Sequence, residues 1–225
     1  MKTDAMAVLF KHLLVVAGVG LASLHVAWAG GINVTALNKA GDPMADVVVY
    51  AVPLDAAQNS AVNAQPGAKA EVSSVAQDHL QFTPYVTVVR AGTEVRFPNF
   101  DKIEHHVKSF SPAKEFEIKP YEKVTPPPVL FDKSGLVVVY CLIHEWMRAY
   151  IYVVDTPYFS KSEAAGTAAL DGLPPGNYQI RAWHPDMGAI KPPLQQSIKV
   201  GADGVQQVKF DFDFIPKKRK PAKTS

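Results

Sequence analysis

Beyond residue 30 this chain never sustains the apolar period of about 3.6 residues that an amphipathic helix needs. It runs instead in short β-branched and aromatic stretches broken by Gly, Pro, Asn and Asp. Strands are expected over residues 32–37 and 47–52, joined across Gly41-Asp42-Pro43, and over 82–89, 94–97, 106–110, 136–140 and 149–154, with a tight turn at Ala91-Gly92. Pro126-Pro127-Pro128 is a stiff connection that cannot lie in a central strand. Residues 170–182 read as a turn feeding a strand. Near the end, Val208, Phe210, Phe212 and Phe214 alternate with Lys209, Asp211 and Asp213, the period of a strand with one buried face. The expected fold class is all-β, built as packed sandwiches.

Length and charge narrow the function classes. A chain of 225 residues holds one large domain or two small ones. A formal net charge of +2 gives no general case for nucleic-acid binding. The single cysteine, Cys141, excludes an intramolecular disulfide, a zinc finger, an iron–sulfur cluster and a redox CxxC pair made by this chain alone. At the N-terminus, Lys2 and Lys11 precede the apolar run 13–24, and Ala27-Trp28-Ala29 follows as a small-x-small cleavage pattern. That run is shorter than the roughly 20 residues a membrane span requires. Residues 1–29 are therefore expected to be a removed secretory signal, leaving an exported, periplasmic chain with no stable membrane insertion once it is cleaved; the alternative is an uncleaved N-terminal anchor. Lys217, Lys218, Arg219, Lys220 and Lys223 concentrate positive charge in a basic tail, 217–225, expected to be disordered and solvated.

The chemistry is concentrated in residues 140–147, Tyr-Cys-Leu-Ile-His-Glu-Trp-Met. Between two expected strands they set a thiolate (Cys141), an imidazole (His144) and a thioether (Met147), a soft donor set suited to copper rather than to calcium or magnesium. A mononuclear copper site of this kind needs a second imidazole. The stretch 97–107 offers one, with Asn99, His105 and His106. Strand alternation sends His105 and His106 to opposite faces, so only one of them can point at the cysteine loop. A binuclear centre would need a second cysteine in the loop. A trinuclear cluster would need His-x-His pairs, and the seven histidines contain none. No nucleophile elbow, phosphate loop or HExxH is present, so the chain is read as a non-enzyme.

Cys141-x₂-His144-x₂-Met147, with Asn99 and His105 six residues apart, resembles the cupredoxin family, with a Cys-to-Met spacing similar to the amicyanin branch. Phe82-Thr83-Pro84, Ala91-Gly92-Thr93 and Val95-Arg96-Phe97 extend the resemblance over residues 71–156. It implies a Greek-key β-sandwich carrying one electron on one type 1 copper ion, with His105, Cys141 and His144 as equatorial ligands and Met147 as the axial one. The family usually carries Asn where this chain has His106, which alters the hydrogen bonding between the two ligand loops. Trp146 is expected beside the His144 edge, either docking a partner or shielding the ion.

The flanks resemble something else. Residues 40–50 and 173–180 look like a transthyretin-like domain of the carboxypeptidase regulatory type, which implies a discontinuous second sandwich from 30–54 and 158–216, with 55–70 as a linker. The alternative is that 30–54 adds strands to the middle domain and the remainder folds separately. The whole layout resembles chains called methylamine utilization proteins, which implies a dehydrogenase or a cytochrome c-like protein as redox partner. Two rival readings are a periplasmic Cu(I) delivery protein and a structural module that has lost its metal. Trp183-His184-Pro185 is read as a strand ending in a turn, and Asn33-Val34-Thr35 as part of an apolar strand rather than a glycosylation acceptor.

Overall fold

The β-branched and aromatic runs do form strands. A computed structural model of the chain describes residues 30–56, 58, 60 and 72–219. The expected signal, most of the expected linker and residues 220–225 of the tail lie outside the described residues. The first flank forms β1 (Gly30–Leu37) and β2 (Val48–Pro53). The middle forms β3 (Val72–Ser74), β4 (Ala76–Asp78), β5 (Gln81–Thr83), β6 (Val86–Arg90), β7 (Thr93–Arg96), β8 (His105–Ser111), β9 (Lys114–Tyr121), β10 (Val129–Phe131), β11 (Gly135–Tyr140) and β12 (Arg148–Val154). The second flank adds β13 (Phe159–Lys161), β14 (Thr167–Leu173), β15 (Gly176–Trp183), a 3-10 turn over Pro185–Met187, β16 (Leu194–Val200) and β17 (Val205–Asp211).

Pairing respects the division between middle and flanks. The middle strands make a five-stranded sheet ordered β6-β12-β11-β8-β9, a three-stranded sheet β10-β7-β3 and the small pair β4-β5. The flanks make two sheets of their own, β14-β1-β17 and β13-β2-β15-β16. Because β13 lies antiparallel to β2, with Phe159 opposite Tyr50, the chain leaves the flanking sheets and re-enters them side by side. Such neighbouring ends accommodate a whole inserted sandwich. The fold is all-β, and its middle strands form sheets of their own, apart from those of the flanks.

Two apolar cores follow from this pairing. One gathers Val75, Phe82, Val95, Phe97, Phe131 and Ile151, and it includes Cys141 and Met147. The other gathers Ile32, Val34, Tyr178, Ile180, Trp183 and Phe210. β12 serves both. Its residues Ala149, Ile151 and Val153 point into the first core, while Tyr150, Tyr152 and Val154 turn to the second. Trp183 from β15 meets that second face, with ring centroids 5.9 Å from Tyr150 and 5.0 Å from Tyr152. Tyr50 adds a further contact at 5.7 Å from Tyr152. The first residues of the tail are also tied down at this junction. The Lys217 N–H donates to Asp186 Oδ2 at 2.7 Å, and Arg219 pairs with Asp46 at 3.5 Å while lying 4.6 Å above the Tyr85 ring.

Several strands differ from the sequence expectation. The 82–89 run is split into β5 and β6 by a turn at Pro84-Tyr85. The alternation at the end stops at β17, leaving Phe212 buried just beyond it. β9 was not expected. It turns only Phe116, Ile118 and Tyr121 to the core, because it is the edge of its sheet and its outer face is charged. His184 behaves as the turn reading expects. It caps the Pro185–Met187 turn, with Nδ1 accepting the Asp186 N–H at 3.1 Å.

Trp183 is 2% exposed and anchors the junction from the flanking side. Trp183→Ala should cost about 3–5 kcal/mol of unfolding free energy, read from the urea midpoint. A loss under about 1 kcal/mol would contradict a packed junction.

Candidate metal centre

The site is built where the end of β11 and the start of β12 face the start of β8. The connection 141–147 closes on itself. The Cys141 N–H donates to Met147 O at 3.1 Å, the His144 N–H to Cys141 O at 3.3 Å, and the Met147 N–H to His144 O at 2.9 Å. This winding returns Cys141 and Met147 to the core, each 1% exposed, and leaves half-buried His144 near the tip. From the other side comes His105, which is fully buried.

Three donor atoms converge there. His105 Nδ1 lies 3.1 Å from His144 Nδ1, and Cys141 Sγ lies 3.8 Å from the first and 3.5 Å from the second. The centre of that triangle is about 2.0 Å from each corner, the usual bond length from a d-block ion to imidazole nitrogen and slightly under that to thiolate sulfur. Two imidazole lone pairs cannot face each other at hydrogen-bond distance unless a proton or a cation lies between them. Among the described residues this is the one cluster of His, Cys, Asp or Glu side chains arranged to hold a metal ion.

Asp101 orients His105. Its Oδ2 is 2.7 Å from His105 Nε2, so Nε2 carries a proton and Nδ1 is the ring atom turned towards the sulfur. The same carboxylate accepts the N–H groups of His79 at 2.8 Å and Leu80 at 3.0 Å. Those two residues hold φ of 53° and 59°, a left-handed conformation costing about 1–2 kcal/mol for each. Two hydrogen bonds to a charged acceptor, at about 1.5–3 kcal/mol each, are enough to hold it. Asp101 was not singled out from the sequence. The available signal was its place four residues before His105, and nothing in the sequence says that the chain between them would turn back.

The remaining residues of the motif have distinct tasks. Asn99 Oδ1 accepts the Asp101 N–H at 2.9 Å, and its Nδ2 donates to Ile103 O and Tyr121 O, each at 2.9 Å, so it frames the Asp101 turn and ties it to β9. His106 points away from the triangle, with Nε2 at 3.0 Å from Glu117 Oε1. Its backbone N–H does reach the site, donating to Cys141 Sγ at 3.4 Å. The link to the cysteine that this position makes therefore comes from the main chain. Trp146 is braced internally. Its Nε1 donates to Leu80 O at 3.0 Å, and its ring lies 5.4 Å from that of His144.

The electrostatics favour a thiolate. Burial pushes the Cys141 thiol up, but hydrogen bonds from His105 and from the backbone N–H groups of His106, Ile143 and His144 together hold it below the usual thiol range. Burial pushes His105 down, and its bonds to Cys141 and Asp101 outweigh that and leave it raised. Lys119 and His106 hold Glu117 below the usual carboxylate range. In the metal-free chain, the ultraviolet absorbance of the Cys141 thiolate should therefore develop at a pH below that of free cysteine. His105→Ala should shift its onset upward. A thiol titrating at or above the ordinary value in the unmutated chain would contradict this arrangement.

No family model matches the chain, and no curated protein does. Among solved structures the chain is similar to a purple cupredoxin from Nitrosopumilus maritimus, at 19% identity over 36% of this chain and 99% of that one, with a TM-score of 0.33. It is similar to a reduced tyrosine-for-tryptophan mutant of amicyanin at 19% identity, 41% and 90% coverage and a TM-score of 0.34. A third likeness is to a copper-containing nitrite reductase from Thermus scotoductus SA-01, at 27% identity over 46% of this chain and 27% of that one, with a TM-score of 0.36. None of the three carries a transthyretin-like name.

Proposed function

We propose that this chain is an exported one-electron carrier holding a single copper ion on His105 Nδ1, Cys141 Sγ and His144 Nδ1, with the Met147 thioether as a weaker fourth ligand. The observation that carries this reading is the triangle of donors, already at metal-binding separation. One thiolate with two imidazoles and a nearby thioether is a donor set that suits copper. When bound, the ion supplies a one-electron Cu(II)/Cu(I) couple.

The protein's part is to keep the donors still. Asp101 fixes the His105 ring, and the loop hydrogen bonds fix Cys141 relative to Met147. Donors that barely move between oxidation states keep the reorganisation of electron transfer small. His144, the one half-buried ligand, gives the electron its shortest way out. Phe100, Ile103, Leu142 and Ile143 are exposed on the two loops that carry the site, offering an apolar rim to a redox partner such as a periplasmic dehydrogenase or a cytochrome c-like protein. In this reading residues 71–156 are the copper-carrying unit, and 30–54 with 158–216 form a transthyretin-like support. No residue is assigned a catalytic role.

Carrier and delivery protein differ in whether the metal stays. The full chain loaded with Cu(I) should survive repeated oxidation and reduction in the presence of a Cu(I) chelator, keeping one copper per chain by metal analysis. Cys141→Ser should abolish this retention, while His106→Ala preserves it. Loss of the metal to the chelator on the timescale of mixing would favour delivery and overturn the carrier reading.

Asp101 provides a graded test. Asp101→Asn removes negative charge beside His105, which should favour Cu(I) about tenfold, an upward shift of about 59 mV in the potential measured by voltammetry. An unchanged or lowered potential would contradict the role given to that carboxylate.

A further inference from the structure

The junction between the two cores is not closed along its whole length. Beside the Tyr50–Tyr152 contact opens a crevice of about 320 Å³. Val52, Pro53 and Arg181 line it from the flanking sheets, and residues 134–135 and 152–156 line it from the middle sandwich. Its size lies at the small end of the range for ligand sites, where one ring or a short branched chain fits.

The crevice is rich in hydrogen-bond donors whose protons the protein leaves unspent. Arg181, half-buried on β15, gives its Nε–H to Gln179 Oε1 at 2.7 Å, and its guanidinium carbon stands 6.0 Å from the Tyr50 ring centroid. The terminal nitrogens of that guanidinium have no acceptor among the described residues. The hydroxyls of Tyr50 and Tyr152 share one hydrogen bond at 3.3 Å, which uses one of their two protons and leaves the other to donate. Thr156, 4% exposed, accepts the Tyr158 N–H at 3.2 Å and keeps its own proton. Burial drives the Tyr152 hydroxyl well above the ordinary phenol range, so it remains a donor at any physiological pH. Against these donors the lining offers one carboxylate, Asp155, which is solvent-exposed and makes no ion pair with Arg181.

We propose that this crevice is a binding site for a small aromatic carboxylate, with the acid group on the Arg181 guanidinium and the ring against Tyr50, Tyr152 and Pro53. A guanidinium presents parallel N–H groups at the spacing of the two carboxylate oxygens, and a tyrosine hydroxyl beside it supplies a further donor. The aromatic and aliphatic walls exclude water from the ring, which contributes the apolar part of the affinity. The ligand touches both sandwiches, so it clamps the junction that Trp183 and Tyr152 form. This assignment is independent of the copper reading.

Benzoate is the probe, titrated into the nitrogen-labelled full chain and followed by amide NMR shifts, a readout that requires no bound metal. Saturable shifts should appear at Gly135, Asp155, Thr156 and Arg181. Benzamide, which keeps the shape without the charge, should bind at least tenfold more weakly, and Arg181→Met should weaken benzoate by a similar factor. The benzamide comparison uses the unaltered chain and stands even if the variant perturbs the junction. Absence of saturable shifts at those amides would overturn the proposal, as would benzamide matching benzoate.

Discussion

The strand Arg148–Val154 is buried on both faces, and much else in the molecule depends on that constraint. Its alternation sends Ala149, Ile151 and Val153 into one core and Tyr150, Tyr152 and Val154 into another. A shift of one residue in its register would exchange the two sets, placing tyrosines among the apolar side chains around Cys141 and methyl groups against Trp183. The same strand starts one residue after Met147, so the register that seats the junction also sets where the Cys141–Met147 loop ends. The supporting unit and the site are thereby coupled through one seven-residue element.

Within that frame the candidate centre is a problem of orientation. Cys141 and Met147 are positioned by a main-chain loop, which needs no special side chains. His105 lies in a strand, and its ring could rotate about χ1 and χ2 without support. The Asp101 carboxylate removes that freedom, and it is itself held by His79, Leu80 and Asn99. A chain of charge-assisted bonds therefore runs from the turn at 79–80 to the sulfur, and Trp146 closes it by bonding back to Leu80. Every link is buried or half-buried, where such bonds are strongest and where an unpaired partner would be costly.

Some of this was legible in the residues alone and some was not. Strand character and the all-β class follow from local patterns, because β-branched alternation and Gly/Pro breaks are written where they act. The spacing of Cys141, His144 and Met147, and the fact that His105 and His106 face opposite ways, are legible for the same reason, since one short loop and one strand alternation decide them. Asp101 was not legible, because its task depends on a turn that brings the chain at 79–80 and the start of β8 to the same carboxylate. β9 is not legible in the sequence, because an edge strand needs few apolar residues. The main-chain bond from residue 106 to the sulfur was hidden because any amino acid except proline can make it.

The central claim is that His105, Cys141 and His144 form one preorganised copper site. Visible absorption and electron paramagnetic resonance of the full chain loaded with one equivalent of Cu(II) test it most directly. An intense thiolate-to-copper band with narrow copper hyperfine splitting is expected, both lost in Cys141→Ser. Copper bound without the thiolate band, or no stoichiometric binding at all, would contradict it.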